Sequence, residues 1–129
     1  MIWNKANSGN KKITILFVQL PLLDHGYNYI QGNVPYAPAA MAAYLRRYHH
    51  DAVAIDHLPF VMANLCSDRV IRRYIAGAMP DILCFSCYLW NVERSLEIAG
   101  MVRAMLPEIT VVMGGPEIQE GSWALSERR

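Results

Sequence analysis

Cys84 and Cys87 stand in C-x-x-C spacing inside "DILCFSCYLWN", and that spacing can hold a metal or exchange a disulfide. The surroundings argue against both. "DILCFS" is an apolar run of strand character, and side chains alternate along a strand, so positions three apart face opposite sides. There is no second ligand pair, and Cys66, the remaining one of three cysteines, is isolated. Cys84 is therefore expected to be a small core residue. The stretch Phe85 to Asn91 still needs an account, because it releases a thiol, two large aromatics and an amide at a strand's carboxyl end. It is either a packed hinge of the core or one wall of a site for a large, flat ligand.

Other reactive residues are weaker signals. Asp56 ends "AVAID", where an acidic residue could hold a ribose in a dinucleotide fold, but no G-x-G-x-x-G accompanies it. A polar strand terminus or helix cap is the expectation for Asp56, and a surface position for His57, His49 and His50. The connection from Pro21 to Ala37 is about three times the usual strand-to-helix length, which favours a functional loop. It carries no G-x-x-x-x-G-K-[ST] and no adjacent acidic pair, and Ser86 rather than an aspartate ends its strand, so nucleoside triphosphate and phospho-acceptor readings fall. Gly114-Gly115 closes "ITVVM" and permits a close backbone approach, either to a neighbouring loop or to a ligand.

The elements that must position these residues alternate regularly. "KITILFVQL", "AVAID", "DILCFS" and "ITVVM" read as strands covered on both faces. Between them lie "PAAMAAYLRRYHH", with Met41, Tyr44, Leu45 and Tyr48 on one face, then "SDRVIRRYIAGAM" and "VERSLEIAGMVRAML". In the second, Ser67 or Asp68 caps and Ile71, Tyr74, Ile75 and Met79 face inward; in the third, Asn91 caps and Leu96, Ala99, Val102, Arg103 and Leu106 share a side. "HLPFVMANLC" fits neither pattern cleanly. The alternation implies right-handed crossovers and an α/β, doubly wound, flavodoxin- or Rossmann-like parallel sheet in three αβα layers, order 2-1-3-4. "IQEGSWALSERR" is too short for a fifth strand and last helix, so the fold is expected to be truncated, with a free edge open to pairing with another chain as a dimer.

Composition bounds the rest. The chain has 129 residues, 53% of them hydrophobic and 18% charged, with net charge +1. That suits one folded domain over 11–129 behind a mobile leader, 1–10. Its paired arginines are scattered, leaving no footprint for nucleic acid. No run approaches about 18 apolar residues, so no membrane span is expected. The cysteine usage fits the cytoplasm.

"PYAPAAMAAYLRR" and "DILCFSCYLWNVERSLEIAGMVRAMLPEITVVMGGPEI", with their spacing, resemble the N-terminal cobalamin-binding domain of radical S-adenosylmethionine enzymes, over residues 11 to 118. The resemblance implies a corrin lying over the strands' carboxyl ends and a nucleotide tail drawn into the side of the sheet. It implies that Ser86 and Gly114-Gly115 accommodate that tail, with Tyr36, Ala37, Cys87, Tyr88, Leu89, Pro116 and Glu117 as further contacts. Trp90 is either a contact or a core plug beneath the ring.

Two departures qualify what the resemblance implies. The family's spaced D-x-H-x-x-G is replaced by adjacent Asp24, His25 and Gly26, so a cobalt-ligating histidine is not carried over. There is also no C-x-x-x-C-x-x-C for an iron–sulfur cluster. The 4Fe-4S cluster and S-adenosylmethionine would belong to a downstream domain, and this chain alone is expected to bind a cofactor without catalysing a reaction. Two alternatives stay open: a degenerate docking domain of the same family, and an unrelated flavodoxin-like domain for flavin or another small ligand.

Overall fold

The computed structural model describes residues 11–22 and 34–119. The leader at 1–10, the triplet Asp24, His25 and Gly26, and the expected truncation after residue 119 lie outside the described residues. The element order is β1 (Ile13–Val18), α1 (Tyr36–Tyr48), β2 (Val53–His57), α2 (Phe60–Leu65), α3 (Asp68–Ala78), β3 (Ile82–Ser86), α4 (Val92–Met105) and β4 (Thr110–Gly114). The four strands form one sheet in the order β2-β1-β3-β4, and all three pairings are parallel. The expected doubly wound α/β sheet is the observed one.

Alternation along the strands divides the core in two. Leu16, Val18, Leu83 and Phe85 point to one face, where they pack with Ile71 and Ile75 of α3 and Ile98 and Val102 of α4. Ile15 and Phe17 point to the other, against Ala42 of α1, with Leu45, Ile55 and Cys84 alongside. Cys84 and Cys87 therefore sit in different clusters. At the amino ends, Asp81 holds β1: its Oδ2 accepts from the Thr14 amide and hydroxyl, both at 2.9 Å. The Asp81 carbonyl then accepts from Thr110 at 3.1 Å, extending the clamp to β4.

Three helical details differ from expectation. In α1 the buried residues are Pro38 and Ala42, while Met41, Tyr44 and Tyr48 are exposed and the two tyrosine rings pack on each other at 4.7 Å. Alanine lets the helix axis approach the sheet closely, and bulky rings are turned outward. In α4 the buried line is Ser95, Ile98, Ala99 and Val102, leaving Arg103 exposed. The ambiguous "HLPFVMANLC" contains the short helix α2, whose Ala63 joins the main core. Helices α3 and α4 are joined by Arg94, whose Nε donates to Asp68 Oδ1 at 2.7 Å from a side chain only 12% exposed.

Helix α3 ends on Met79 in the left-handed region, φ 47, with its amide donating to Ile75 at 3.1 Å, just before Pro80. Non-glycine residues pay a steric penalty there, and the Met79 side chain is half exposed. Met79→Gly is expected to stabilise the fold by about 1 kcal/mol, measured by urea denaturation.

Candidate cofactor site

The carboxyl ends of β1, β3 and β4 are joined by short polar contacts that begin with the chain leaving β3. Ser86 pairs in register with Gly114, and the next amide, Cys87 N–H, donates to the Gly114 carbonyl at 2.6 Å. Glu117 N–H returns toward the Cys87 carbonyl at 3.4 Å. The loops after β3 and β4 thus form one unit.

Gly115 explains why the glycine pair is needed. Its φ is +117, and a Cβ there would overlap the Cys87 carbonyl oxygen and lie 2.8 Å from the Cys87 nitrogen. The close approach is to a neighbouring loop. Gly114 differs: among the described residues, nothing lies within 4 Å of where its Cβ would stand. It shares a sheet face with Ser86 and Cys84, the face that α1 covers further along. Beside Gly114, Val112 is 45% exposed. Among the described residues, a strip of small side chains therefore lies open at this end of β3 and β4.

Asn91 is the residue that sequence reasoning placed but misassigned. It stands at the start of α4 yet makes no side-chain cap. Its side chain turns back and is wholly enclosed, with Nδ2 donating to the Leu20 carbonyl at 2.8 Å and the Ser86 carbonyl at 3.1 Å. Its Oδ1 accepts from Tyr88 N–H at 2.7 Å. The sequence signal, Asn before an apolar helical run, is common to a cap and to this clasp.

Of the ten expected site residues, Ser86 to Leu89 and Gly114 to Glu117 are brought together. The Cys87 side chain is fully buried in the main core, so only its backbone faces the loops. Burial pushes its thiol up to about 11, against a smaller opposing influence of the nearby Ser95 hydroxyl. Leu89 is 77% exposed, and Tyr88 stacks on a half-exposed Trp90 at 4.8 Å with planes 5° apart, so Trp90 is no core plug. Tyr36 and Ala37 open α1, both exposed, and no hydrogen bond or ring contact among the described residues ties them to the other eight.

A cavity of about 300 Å³ lies at the carboxyl ends of β1 and β2, lined by Phe17, Gln19, His57, Leu58 and Phe60 among others and by none of the ten. His57 is half-buried rather than a surface residue and stacks on Phe17 at 5.5 Å. Burial, helped by the Arg46 charge and opposed by Asp56, lowers its pKa. Asp56 accepts from the His57 amide at 2.9 Å, a local cap of the strand end.

Residues 33–127 match the family described as B12 binding domain. The chain belongs to that family. This B12-binding domain is 42% identical over 41 residues, 32% of its length, to the cobalamin-dependent radical SAM methyltransferase TokK of Streptomyces tokunonensis. It is 42% identical over 51 residues, 39% of its length, to a 2-(S-pantetheinyl)-carbapenam-3-carboxylate methyltransferase of Streptantibioticus cattleyicolor. The matched stretches cover 6% and 8% of those two proteins.

The two glycines are expected to respond oppositely. Gly115→Ala forces a positive φ and a backbone overlap and should destabilise the B12-binding domain by about 1–3 kcal/mol, read as a lowered thermal midpoint, whereas Gly114→Ala should leave the midpoint nearly unchanged. Cys87 makes a pH prediction. Its folded-state pKa is raised, so the neutral thiol favours the folded state below pH 9.0, and this advantage is lost as pH rises toward 11. Urea melts should show Cys87→Ala losing less stability than the parent across that interval.

Proposed function

We propose that this chain holds cobalamin, with the corrin over the carboxyl ends of β1, β3 and β4 and the nucleotide tail along the open strip beside Ser86 and Gly114. The observation that carries this is Gly114, whose missing side chain leaves, among the described residues, free space beside Ser86 on an uncovered part of the sheet. Family membership supports cobalamin as the ligand.

The residues present fit such a group. A corrin is broad and apolar with an amide fringe, so it suits exposed apolar side chains next to backbone polar groups. Leu89 and the stacked Tyr88 and Trp90 supply the first, and the loop after β4, Gly115 to Glu117, supplies the second. Tyr36 and Ala37, at the exposed start of α1, border the same end of the molecule. Cys87 acts from below as the joint between the two loops. When bound, cobalamin supplies cobalt–carbon chemistry that these side chains lack. S-adenosylmethionine and an iron–sulfur cluster are assigned to a further domain of the whole protein, as the word radical SAM in the first relative's name suggests. The names of both relatives favour methyl transfer as that protein's reaction.

The test is a visible-absorption titration of the chain with hydroxocobalamin followed by desalting. The expected result is retained corrin with a base-off spectrum, and at least about tenfold weaker retention for Gly114→Val, whose branched side chain fills the strip. Gly114→Val should keep the parent's far-ultraviolet circular dichroism. A parent chain that retains no corrin, or equal retention by both, would overturn the proposal.

A further inference from the structure

We propose that Asn91 is a positioning residue for the cofactor, its buried carboxamide fixing the relative placement of the chain segments leaving β1 and β3. The inference rests on the cobalamin reading above and extends it to a residue outside the expected contact set.

Residue chemistry carries the argument. The Asn91 side chain uses two donor hydrogens and one acceptor at once, toward Leu20, Ser86 and Tyr88. An aspartate lacks the donors, and a serine or threonine has one donor on too short a stem to reach three partners. A helix cap needs only one acceptor and would accept any of these types. The side chain makes no cap bond at all, so helix α4 does not account for this amide.

The partners define what is positioned. Leu20, fully buried, is where the chain leaves β1, and its carbonyl lies 71 positions before the group that holds it. Ser86 is the residue paired with Gly114 at the open strip. Tyr88 begins the aromatic stack, and its amide is held by Asn91 Oδ1 while its carbonyl accepts from the Asn91 amide at 3.0 Å. Ser86 Cα and the Tyr88–Trp90 rings therefore keep a fixed offset, which is the offset between the tail strip and the apolar wall. Removing the carboxamide takes this partner from the buried Leu20 carbonyl and from the half-buried Ser86 carbonyl and Tyr88 amide, and the loop must open to water to satisfy the first of them.

The experiment compares Asn91→Ala and Asn91→Ser with Val92→Ala, a neighbouring side-chain truncation against the main core that leaves the hydrogen bonds of the Asn91 carboxamide in place. Two readouts are taken: hydroxocobalamin affinity by visible titration, and amide exchange at Tyr88. Both Asn91 variants are expected to bind about tenfold more weakly and to exchange the Tyr88 amide at least about tenfold faster. Amides within β1 and β3 should keep their protection. Val92→Ala should lower the thermal midpoint while leaving affinity and Tyr88 exchange as in the parent. The inference is overturned if the Asn91 variants bind like the parent, or if Val92→Ala at matched stability loses as much affinity. Should Asn91→Ala not fold, Asn91→Ser alone decides. If the unsubstituted chain retains no cobalamin, the cofactor reading itself fails, and unchanged Tyr88 exchange in Asn91→Ser would then remove the positioning role as well.

Discussion

A single enclosed carboxamide is the interaction on which the carboxyl edge of this sheet depends. Strand pairing ends at Phe17 on one side of β1, at Val18 on the other and at Ser86 on β3, and beyond those residues no ladder fixes the chain. Backbone groups released there and hidden from water need other partners. Asn91 provides them for Leu20, Ser86 and Tyr88, and the Gly114 carbonyl provides one for Cys87. The amino edge is governed in the same way by the carboxylate of Asp81, which gathers Thr14 while its backbone carbonyl gathers Thr110. Between these two clamps, the apolar strands need only slide together in register.

Both faces of the sheet are covered, though unequally. The α3 and α4 side carries the larger core, reaching from Leu20 to Ile109. The α1 side is thin, with a core cluster of only Ile15, Phe17 and Ala42, and its cover stops short of Val112 and Gly114 among the described residues. That asymmetry creates the open strip, and the strip is why a small residue such as Gly114 and a short hydroxyl such as Ser86 stand where a core would ordinarily place larger side chains.

The architecture was legible because it follows from long apolar runs separated by helical ones, a signal that averages over many residues. Sheet order and parallel pairing came from the same alternation. Helix faces were harder. In α1, Met41, Tyr44 and Tyr48 form the stronger apolar periodicity, yet Ala42 takes the sheet, because close approach rewards small size and hydropathy does not encode it. The site was legible as a neighbourhood. Glycine at 114 and 115 announced a close approach, but only three dimensions reveal that Gly115 meets Cys87 and Gly114 meets open space. Asn91 could not be resolved, since its hydrogen-bonding partners include one 71 positions away. The cavity beside His57 was equally hidden, because it arises from the ends of β1 and β2 together with the loops that follow.

The union of Cys87 with Gly114, Gly115 and Glu117 has a consequence for how such a chain can change over generations. Two loops that share hydrogen bonds and a backbone contact cannot alter their lengths separately, since one inserted residue in either would part the carbonyl of Cys87 from the turn it seats against. The surface they present is thus inherited as a block. Diversification at this edge is confined to what projects outward from that block, at Leu89, Trp90 and Pro116, where side chains can be exchanged without disturbing the join beneath.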